Sequence, residues 1–320
     1  MRDCVSVECQ QEVTVGRLTV VGSCNIDLVT RTEKFPRPGE HLFASEFGTY
    51  LGGKGANQAV AARRSGASVR MVARVGRDAF GSDISSALAS DGIDIGGIEH
   101  VAGAPTGNAS IWLDAAGENK ILVFPGANAS LGFTEAMRSV GSLGAGDIVL
   151  MQLEVPMPTV VQLAHSALLS GSTVILNAAP ARVLPDELWP AIGVLIVNET
   201  EAAALAGGAS PDQAIKVLIA RGCGAVVVTL GAHGCLLAQA GDTSPLHIPP
   251  YAPKGVVDAT GAGDAFCGVF ASQVAAGSTF REASRWGNAA GSLAVETVGA
   301  IPSMPVRSAI EARLAHEARA

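Results

Sequence analysis

Apolar residues run along this chain in short unbroken stretches, each closed by glycine or polar groups, and the stretches alternate with segments of helical period. Residues 18–30, LTVVGSCNIDLVT, read as a strand that ends in polar side chains, with Gly22-Ser23-Cys24-Asn25 interrupting it and Asp27 following. Turn chemistry in Lys34-Phe35-Pro36-Arg37-Pro38-Gly39 leads to a weakly alternating stretch at 41–50. A helix is expected over 56–64, where ANQAVAARR meets no breaker before Ser65-Gly66. Next come a strand at 68–76, a helix near 81–89, and a hairpin built from 108–114 and 119–124. From 130 onward the pattern gives helix 133–140, strand 147–153, helix 157–169, strands 172–177 and 193–197, helices 199–206 and 211–220, and strand 225–230. The last third reads as helical, over 263–277, 281–293 and 306–318. Such alternation predicts an α/β fold of right-handed βαβ units around a mostly parallel sheet. The β-rich pieces at 31–50 and 107–124 break the alternation and predict a small projecting sheet, placed to act as a lid.

A length of 320 residues with 48% hydrophobic residues suffices for one large domain, expected over 17–320 behind a polar tail at 1–16. Aromatic residues are only 4% while glycine reaches 38 residues, so the layers must approach closely through small side chains. A formal net charge of −7 without a basic run argues against a nucleic-acid partner. The N-terminus carries Asp3, Glu8 and Glu12, and no stretch of about 18 uncharged apolar residues occurs, which argues against a membrane partner. Cys4, Cys9, Cys24, Cys223, Cys235 and Cys267 form no C-x-x-C pair and have no histidine at zinc spacing. Buried thiols in a reducing, cytoplasmic setting fit that distribution.

The densest chemical signal is the run from Val257 to Phe266, VDATGAGDAF. Gly261 and Gly263 leave backbone amides bare where a small-residue helix begins, and such a helix N-terminus holds anions. Asp264 stands in the same turn. A carboxylate beside a bound phosphate is tolerable where it faces a second substrate, which points to a base next to a phosphate. Taken alone, the same residues also describe a glycine turn with Asp264 as an ordinary N-cap. The segment 50–58, YLGGKGANQ, nearly matches a nucleotide P-loop counted from Gly48, but Gly55 follows Lys54 where a Mg²⁺-ligating hydroxyl is required. Lys54 and Asn57 can instead donate to the hydroxyls of a small polar ligand, or the stretch is only a turn and a helix start. Asn198-Glu199-Thr200-Glu201 closes a strand where open parallel sheets bind ligands, and carboxylates there can hold Mg²⁺ through water. A capped helix with an acidic first turn is the alternative. Thr229-Leu230-Gly231-Ala232-His233-Gly234 likewise ends a strand with glycines. Gly22 stands alone after the first strand, so the G-x-G-x-x-G of a dinucleotide enzyme is missing.

Six motifs stand in order along the chain: GGKGANQA at 52–59, MQLE at 151–154, NAAPA at 177–181, NETEA at 198–202, TLGAHG at 229–234 and DATGAGDAF at 258–266. Together they resemble the ribokinase, or PfkB-type, family of carbohydrate kinases over about residues 18–315. The resemblance implies a three-layer, Rossmann-like (ribokinase-like) sandwich and an ATP-dependent phosphotransferase acting on an alcohol. It implies Asp264 as catalytic base and the turn at 261–264 as anion hole. Asn25, Asp27, Gly53, Lys54, Asn57 and Glu154, with Asp264, are the implied sugar ligands. Asn198, Thr229, Leu230, Gly231, Ala232, His233, Gly234, Gly263, Asp264 and Asn288 are the implied ATP contacts, with Glu201 supporting Mg²⁺ through water. Family members also use a monovalent cation, usually K⁺, and the matching positions are Asp258, Thr260, Ala294, Thr297, Gly299 and Ser303. Ala259 and Ala265 stand where hydroxyl residues are common in the family, and Thr297 where some members have arginine, which leaves the cation's side-chain environment open. GGKGANQA, MQLE and Asp27 together favour D-ribose phosphorylated at O5, with deoxyribose, fructose, 2-keto-3-deoxygluconate or a nucleoside as alternative acceptors. The apolar lid residues Ile111, Trp112, Leu113, Ile121, Leu122 and Val123 need cover, and pairing of two lids predicts a homodimer.

Overall fold

Strands buried on both faces organise the molecule. The computed structural model describes residues 16–317, so the expected polar tail, Gly16 apart, lies outside them together with Cys4 and Cys9. In chain order the elements are β1 (Leu18–Val21), β2 (Asn25–Arg31), β3 (Glu46–Gly52), α1 (Lys54–Arg64), β4 (Val69–Gly76), α2 (Ala79–Ser90), β5 (Asp94–Val101), β6 (Gly107–Leu113), β7 (Asn119–Phe124), α3 (Phe133–Val140), β8 (Ile148–Met151) and α4 (Met157–Leu169). They continue with β9 (Thr173–Asn177), β10 (Val194–Asn198), α5 (Glu199–Leu205), α6 (Pro211–Ala220), β11 (Ala225–Thr229), β12 (Cys235–Gln239), β13 (Leu246–Ile248), α7 (Ala262–Ala275), α8 (Phe280–Ala294), α9 (Ala300–Ser303) and α10 (Arg307–Glu317).

Nine strands form one sheet in the order β13-β12-β11-β10-β9-β8-β1-β4-β5, parallel from β5 to β11, with β12 and β13 antiparallel at one edge. Successive side chains point to opposite faces of a strand. Leu18, Val20, Ile148 and Leu150 therefore enter one core with α1, α7 and α8, while Val21, Val149 and Met151 enter a second core with α3 to α6. This is the expected three-layer sandwich. Scarce aromatics and abundant glycine have a local meaning where α1 meets α7: a Cβ on Gly268 would lie 2.3 Å from the Gln58 carbonyl oxygen and 2.7 Å from Ala61 Cβ. The two helices thus touch almost backbone to backbone, which brings the start of α1 beside the start of α7.

The small sheet has the order β3-β2-β6-β7, with β6 and β7 forming the expected hairpin. Its extent corrects the sequence-based boundaries. Residues 18–30 are two strands, because the chain leaves the large sheet at Gly22, whose amide makes a last bond to Val72 O, and enters the small sheet as β2 from Asn25. Two glycines in DIGGIEHV hid β5, and β12 and β13 extend the sheet where helices alone were expected beyond residue 230.

Candidate active site

Three elements meet at one end of the large sheet. α7 opens at Gly261, whose φ of +80° is the left-handed region that glycine enters without strain, and no side chain caps the amides of its first turn. A Cβ on Gly263 would meet open space. Asp264, in that first turn, is 8% exposed and both its oxygens are held from α1: Asn57 Nδ2 donates to Oδ2 at 2.8 Å and Gln58 Nε2 donates to Oδ1 at 2.8 Å. The close α1–α7 contact makes this geometry reachable for short amide side chains.

On one side of Asp264 opens a cleft of about 230 Å³, lined among others by Lys54, Asn198, Glu201, Thr229, Gly263 and Asp264. Asn198 and Glu201 form a reciprocal capping box at the start of α5: Glu201 N donates to Asn198 Oδ1 at 2.8 Å, and Asn198 N donates to Glu201 Oε2 at 2.9 Å. The capped-helix alternative and the cleft position are therefore both realised. After β11 the turn 230–234 continues the same edge, with His233 and Ala232 exposed and Gly234 at φ +83°. Asn288 lies on α8 and its Nδ2 donates to Ile248 O at 3.2 Å and Pro249 O at 2.9 Å, so it holds the chain after β13 and is not among the cleft's lining residues.

The remaining polar residues gather at the base of the small sheet. Asn25, buried, accepts from Asn128 Nδ2 at 2.7 Å. Glu154 Oε2 accepts from the Ser23 hydroxyl and from the Lys54 amide. Gly53 caps α1 with φ +88°. Asp27, on β2, lies across Gly52. Burial, then the nearby Glu154 and Asp264, push the Asp27 carboxyl up to about 6. Lys54 responds oppositely: burial pulls it down, but Asp264, Glu154 and Glu201 outweigh that and hold its ammonium above the ordinary value. Burial also raises the Glu201 carboxyl, with the Asn198 amide and Lys54 opposing and Asp264 assisting. Asn57 keeps Oδ1 buried without a partner. A buried acceptor without a partner is unusual in a folded protein.

A third group of expected residues comes together at the loops flanking α8 and α9. Asp258 Oδ1 accepts from the Thr260 amide at 2.9 Å and Oδ2 from the Gly299 amide at 2.8 Å, which ties the turn at the start of α7 to the segment after Ala294. Partial burial raises the Asp258 carboxyl, but bonds from Thr260 and Gly299, with Arg31 at longer range, hold it below its ordinary value. Thr297 N donates to Ala294 O, and Ser303 Oγ donates to Ala300 O, which leaves the Ser303 oxygen able to accept. Every donor in this group is a hard oxygen, the type that suits an alkali cation. Among the described residues no group of three or more His, Cys, Asp or Glu is placed to hold a metal ion.

Sequence reasoning missed Ser23, Gln58, Asn128, Gln152 and Asn177. Gln58, Gln152 and Asn177 stood inside the motifs GGKGANQA, MQLE and NAAPA, but nothing in a motif tells which of its side chains turn inward. Asn128 had no signal. Cys24 and Cys267 are buried thiols, the first pushed up to about 12 by burial, and both pack as expected.

The sequence pattern of the pfkB family of carbohydrate kinases matches residues 16–307. A ribokinase of Haemophilus influenzae is 38% identical over 299 residues, 91% of this chain and 95% of its own. A bifunctional ribokinase/ribose-5-phosphate isomerase A of Fructilactobacillus sanfranciscensis is 37% identical over 301 residues, and the chain spans only 55% of that longer protein. The structure of Arabidopsis thaliana ribokinase complexed with ribose and ATP superposes with a TM-score of 0.86 at 35% identity, covering 94% of this chain and 99% of that one.

Proposed function

The chain belongs to the pfkB family of carbohydrate kinases, and from that premise we propose that it transfers the terminal phosphoryl group of ATP to O5 of D-ribose. One observation carries this: Asp264, fixed by two amide donors, stands between a cleft edged by bare helix amides and a pocket of hydroxyl-binding groups. Each carboxylate oxygen has two lone pairs and uses one on α1, so either can accept the proton of the attacking hydroxyl. Asn25, Asp27, Asn57 and Glu154, with Gly53 and the Lys54 ammonium, bind and orient the sugar. The amides of Gly263 and Asp264 stabilise charge that develops on the phosphoryl oxygens. Asn198 and the turn 229–234 frame the nucleotide side, and Asn288 supports it by holding the chain after β13.

Three carboxyl groups, Glu154, Glu201 and Asp264, surround one ammonium, Lys54, and Asp27 lies beside two of them, a local excess of acid that disfavours a bare triphosphate. Glu201 would hold Mg²⁺ through water and Asp258, Thr260, Ala294, Thr297, Gly299 and Ser303 would hold K⁺. When bound, the cations neutralise phosphate charge and order the anion turn. The lid exposes a broad apolar surface, with Phe43 fully exposed and Leu122 76% exposed, and among the described residues no strand pairs with the outer edges of β3 and β7. A second copy of this chain fits that surface, giving a homodimer through paired lids. The buried free thiols support a reducing, cytoplasmic setting.

The test is a panel of sugars and adenosine in an ADP-release assay, run with Asp264→Asn in parallel. Ribose should give the highest kcat/KM, and the variant should fold and bind ATP while kcat falls by roughly 10² or more. Near-normal turnover in the folded variant would remove Asp264 as base, and a better substrate than ribose would reassign the sugar.

A further inference from the structure

Behind Asp264 runs a line of buried amide side chains with a fixed polarity. It starts at a main-chain carbonyl, where Ile196 O accepts from Asn177 Nδ2 at 3.2 Å. Asn177 must then present Oδ1, which accepts from Gln58 Nε2 at 3.0 Å. The other hydrogen of that same nitrogen goes to Asp264 Oδ1 at 2.8 Å. Gln58 consequently turns Oε1 the other way, where Gln152 Nε2 donates to it at 2.7 Å. Amide orientations are normally a choice between two flips; here a backbone carbonyl that cannot flip sets all of them. Gln58 and Gln152 are fully buried and Asn177 is buried. Three strands of the large sheet and helix α1 supply the groups, since Gln152 follows β8, Asn177 ends β9 and Ile196 lies in β10.

We propose that Gln58 is a positioning residue for the phosphoryl transfer, locking the Asp264 carboxylate in the rotamer that meets the acceptor hydroxyl. Asn57 alone cannot do this: among the described residues its Oδ1 has no hydrogen-bond partner, so its amide plane is held only through Nδ2. Gln58 has both of its ends fixed by protein. The proposal rests on Asp264 being the base.

Two substitutions test it, with Asp264→Asn as reference. Gln58→Met keeps length and apolar bulk but removes the donor. kcat should fall about 10-fold or more, while the KM values for ribose and ATP stay within about 3-fold, because the lost interaction acts on the reacting group rather than on binding. Gln58→Glu keeps the shape but sets a second carboxyl against Asp264 Oδ1. Two carboxyls at that distance share a proton, so the acid limb of the kcat/KM profile should move up by about one pH unit or more, with activity recovering as pH rises. The other charged or titratable groups facing Asp264 are Lys54 on α1, Glu201 on α5, Asp27 on β2 and Cys267 on α7, and both variants leave them in place. A purely structural role for Gln58 predicts lower thermal stability with kcat and the acid limb unchanged in the folded fraction, and that result overturns the proposal. If Asp264→Asn itself turns over normally, the base assignment fails first, which is a distinct outcome. Gln152→Met supplies a second check should either Gln58 variant fail to fold: it removes the donor that anchors Oε1 of Gln58, so the amide is no longer held at both ends, and a kcat unchanged within about 2-fold would also overturn the lock.

Discussion

Adding one methyl group at Gly268 should damage catalysis more than stability. The new carbon of Gly268→Ala would start 2.3 Å from Gln58 O, 2.7 Å from Ala61 Cβ and 3.0 Å from Ala62 N, all on α1, whereas ordinary contact begins at 3.4 Å. α1 and α7 must therefore separate by about 1 Å, the difference between the first and last of these distances. Overpacking of this kind costs about 1–3 kcal/mol. Alanine in place of glycine inside a helix returns about 1 kcal/mol, so the net loss is on the order of 1 kcal/mol and the fall in Tm about 2–4 °C. The site feels the same displacement differently. Both donors to Asp264 ride on α1 at 2.8 Å, and a shift of about 1 Å takes them beyond hydrogen-bond reach; misplacements of that size cost about 10² in rate. Thermal unfolding followed by circular dichroism, with kcat on the same preparation, separates the two effects. The expected result is a folded protein with kcat reduced about 10- to 100-fold. A Tm lowered by many degrees with kcat per folded molecule intact would refute the coupling of helix spacing to the geometry of Asp264.

Asp27 keeps its proton to about pH 6 when folded, against an ordinary value of 3.8. The native state then binds more protons than the unfolded chain between those values, so this group's contribution to stability falls as pH rises from about 4 to about 6 and stays reduced above. Asp27→Asn should raise the stability of the sugar-free protein above pH 6 by up to about 3 kcal/mol while weakening ribose binding, and parallel Tm-against-pH curves for the two proteins would contradict the assigned cause. KM for ribose should rise below about pH 6 in the unmodified chain, as protonation removes an acceptor for sugar hydroxyls; a flat KM between pH 5 and 7.5 would count against Asp27 as a ligand. K⁺ should raise the rate over a bulky organic cation at equal ionic strength, fixed Mg²⁺ and fixed ATP, and equal rates would remove the cation site at Asp258. Light scattering at micromolar concentration should give about twice 32.4 kDa, and a mass near the single chain, unchanged by ribose, would defeat the lid pairing.

Much of this site was legible because the chemistry is concentrated in contiguous motifs. Gly261, Gly263 and Asp264 are neighbours in sequence, and a bare helix start is a local structure that glycine spacing announces. Lys54 and Asn57 share a single helical turn, and Asn198 with Glu201 could be read as both cap and ligand. The residues that escaped act across long separations: Gln152 reaches Gln58, and Asn128 reaches Asn25 and Cys24. Partners of that kind leave no periodic trace. The boundaries that moved, at β2, β5 and β12, did so because glycines and short lengths blur strand patterns, and because which sheet a strand joins depends on a partner elsewhere in the chain.

The sequence by itself determined the α/β class, the parallel body with its projecting hairpin, and the family, since hydrophobic period and ordered motifs are local properties of the chain. Only the tertiary structure decided how close α1 lies to α7, and with it the two 2.8 Å bonds that fix Asp264. It alone decided that Asp27 shares a low-dielectric pocket with two other carboxyls, that Asp258 links the turn before α7 to Gly299, and that a backbone carbonyl on β10 sets the orientation of amides on three other segments. The physical reason is common to all four. Charge, hydrogen-bond direction and steric contact depend on distances of a few ångströms between residues far apart in the chain, and those distances are set by packing of the whole core.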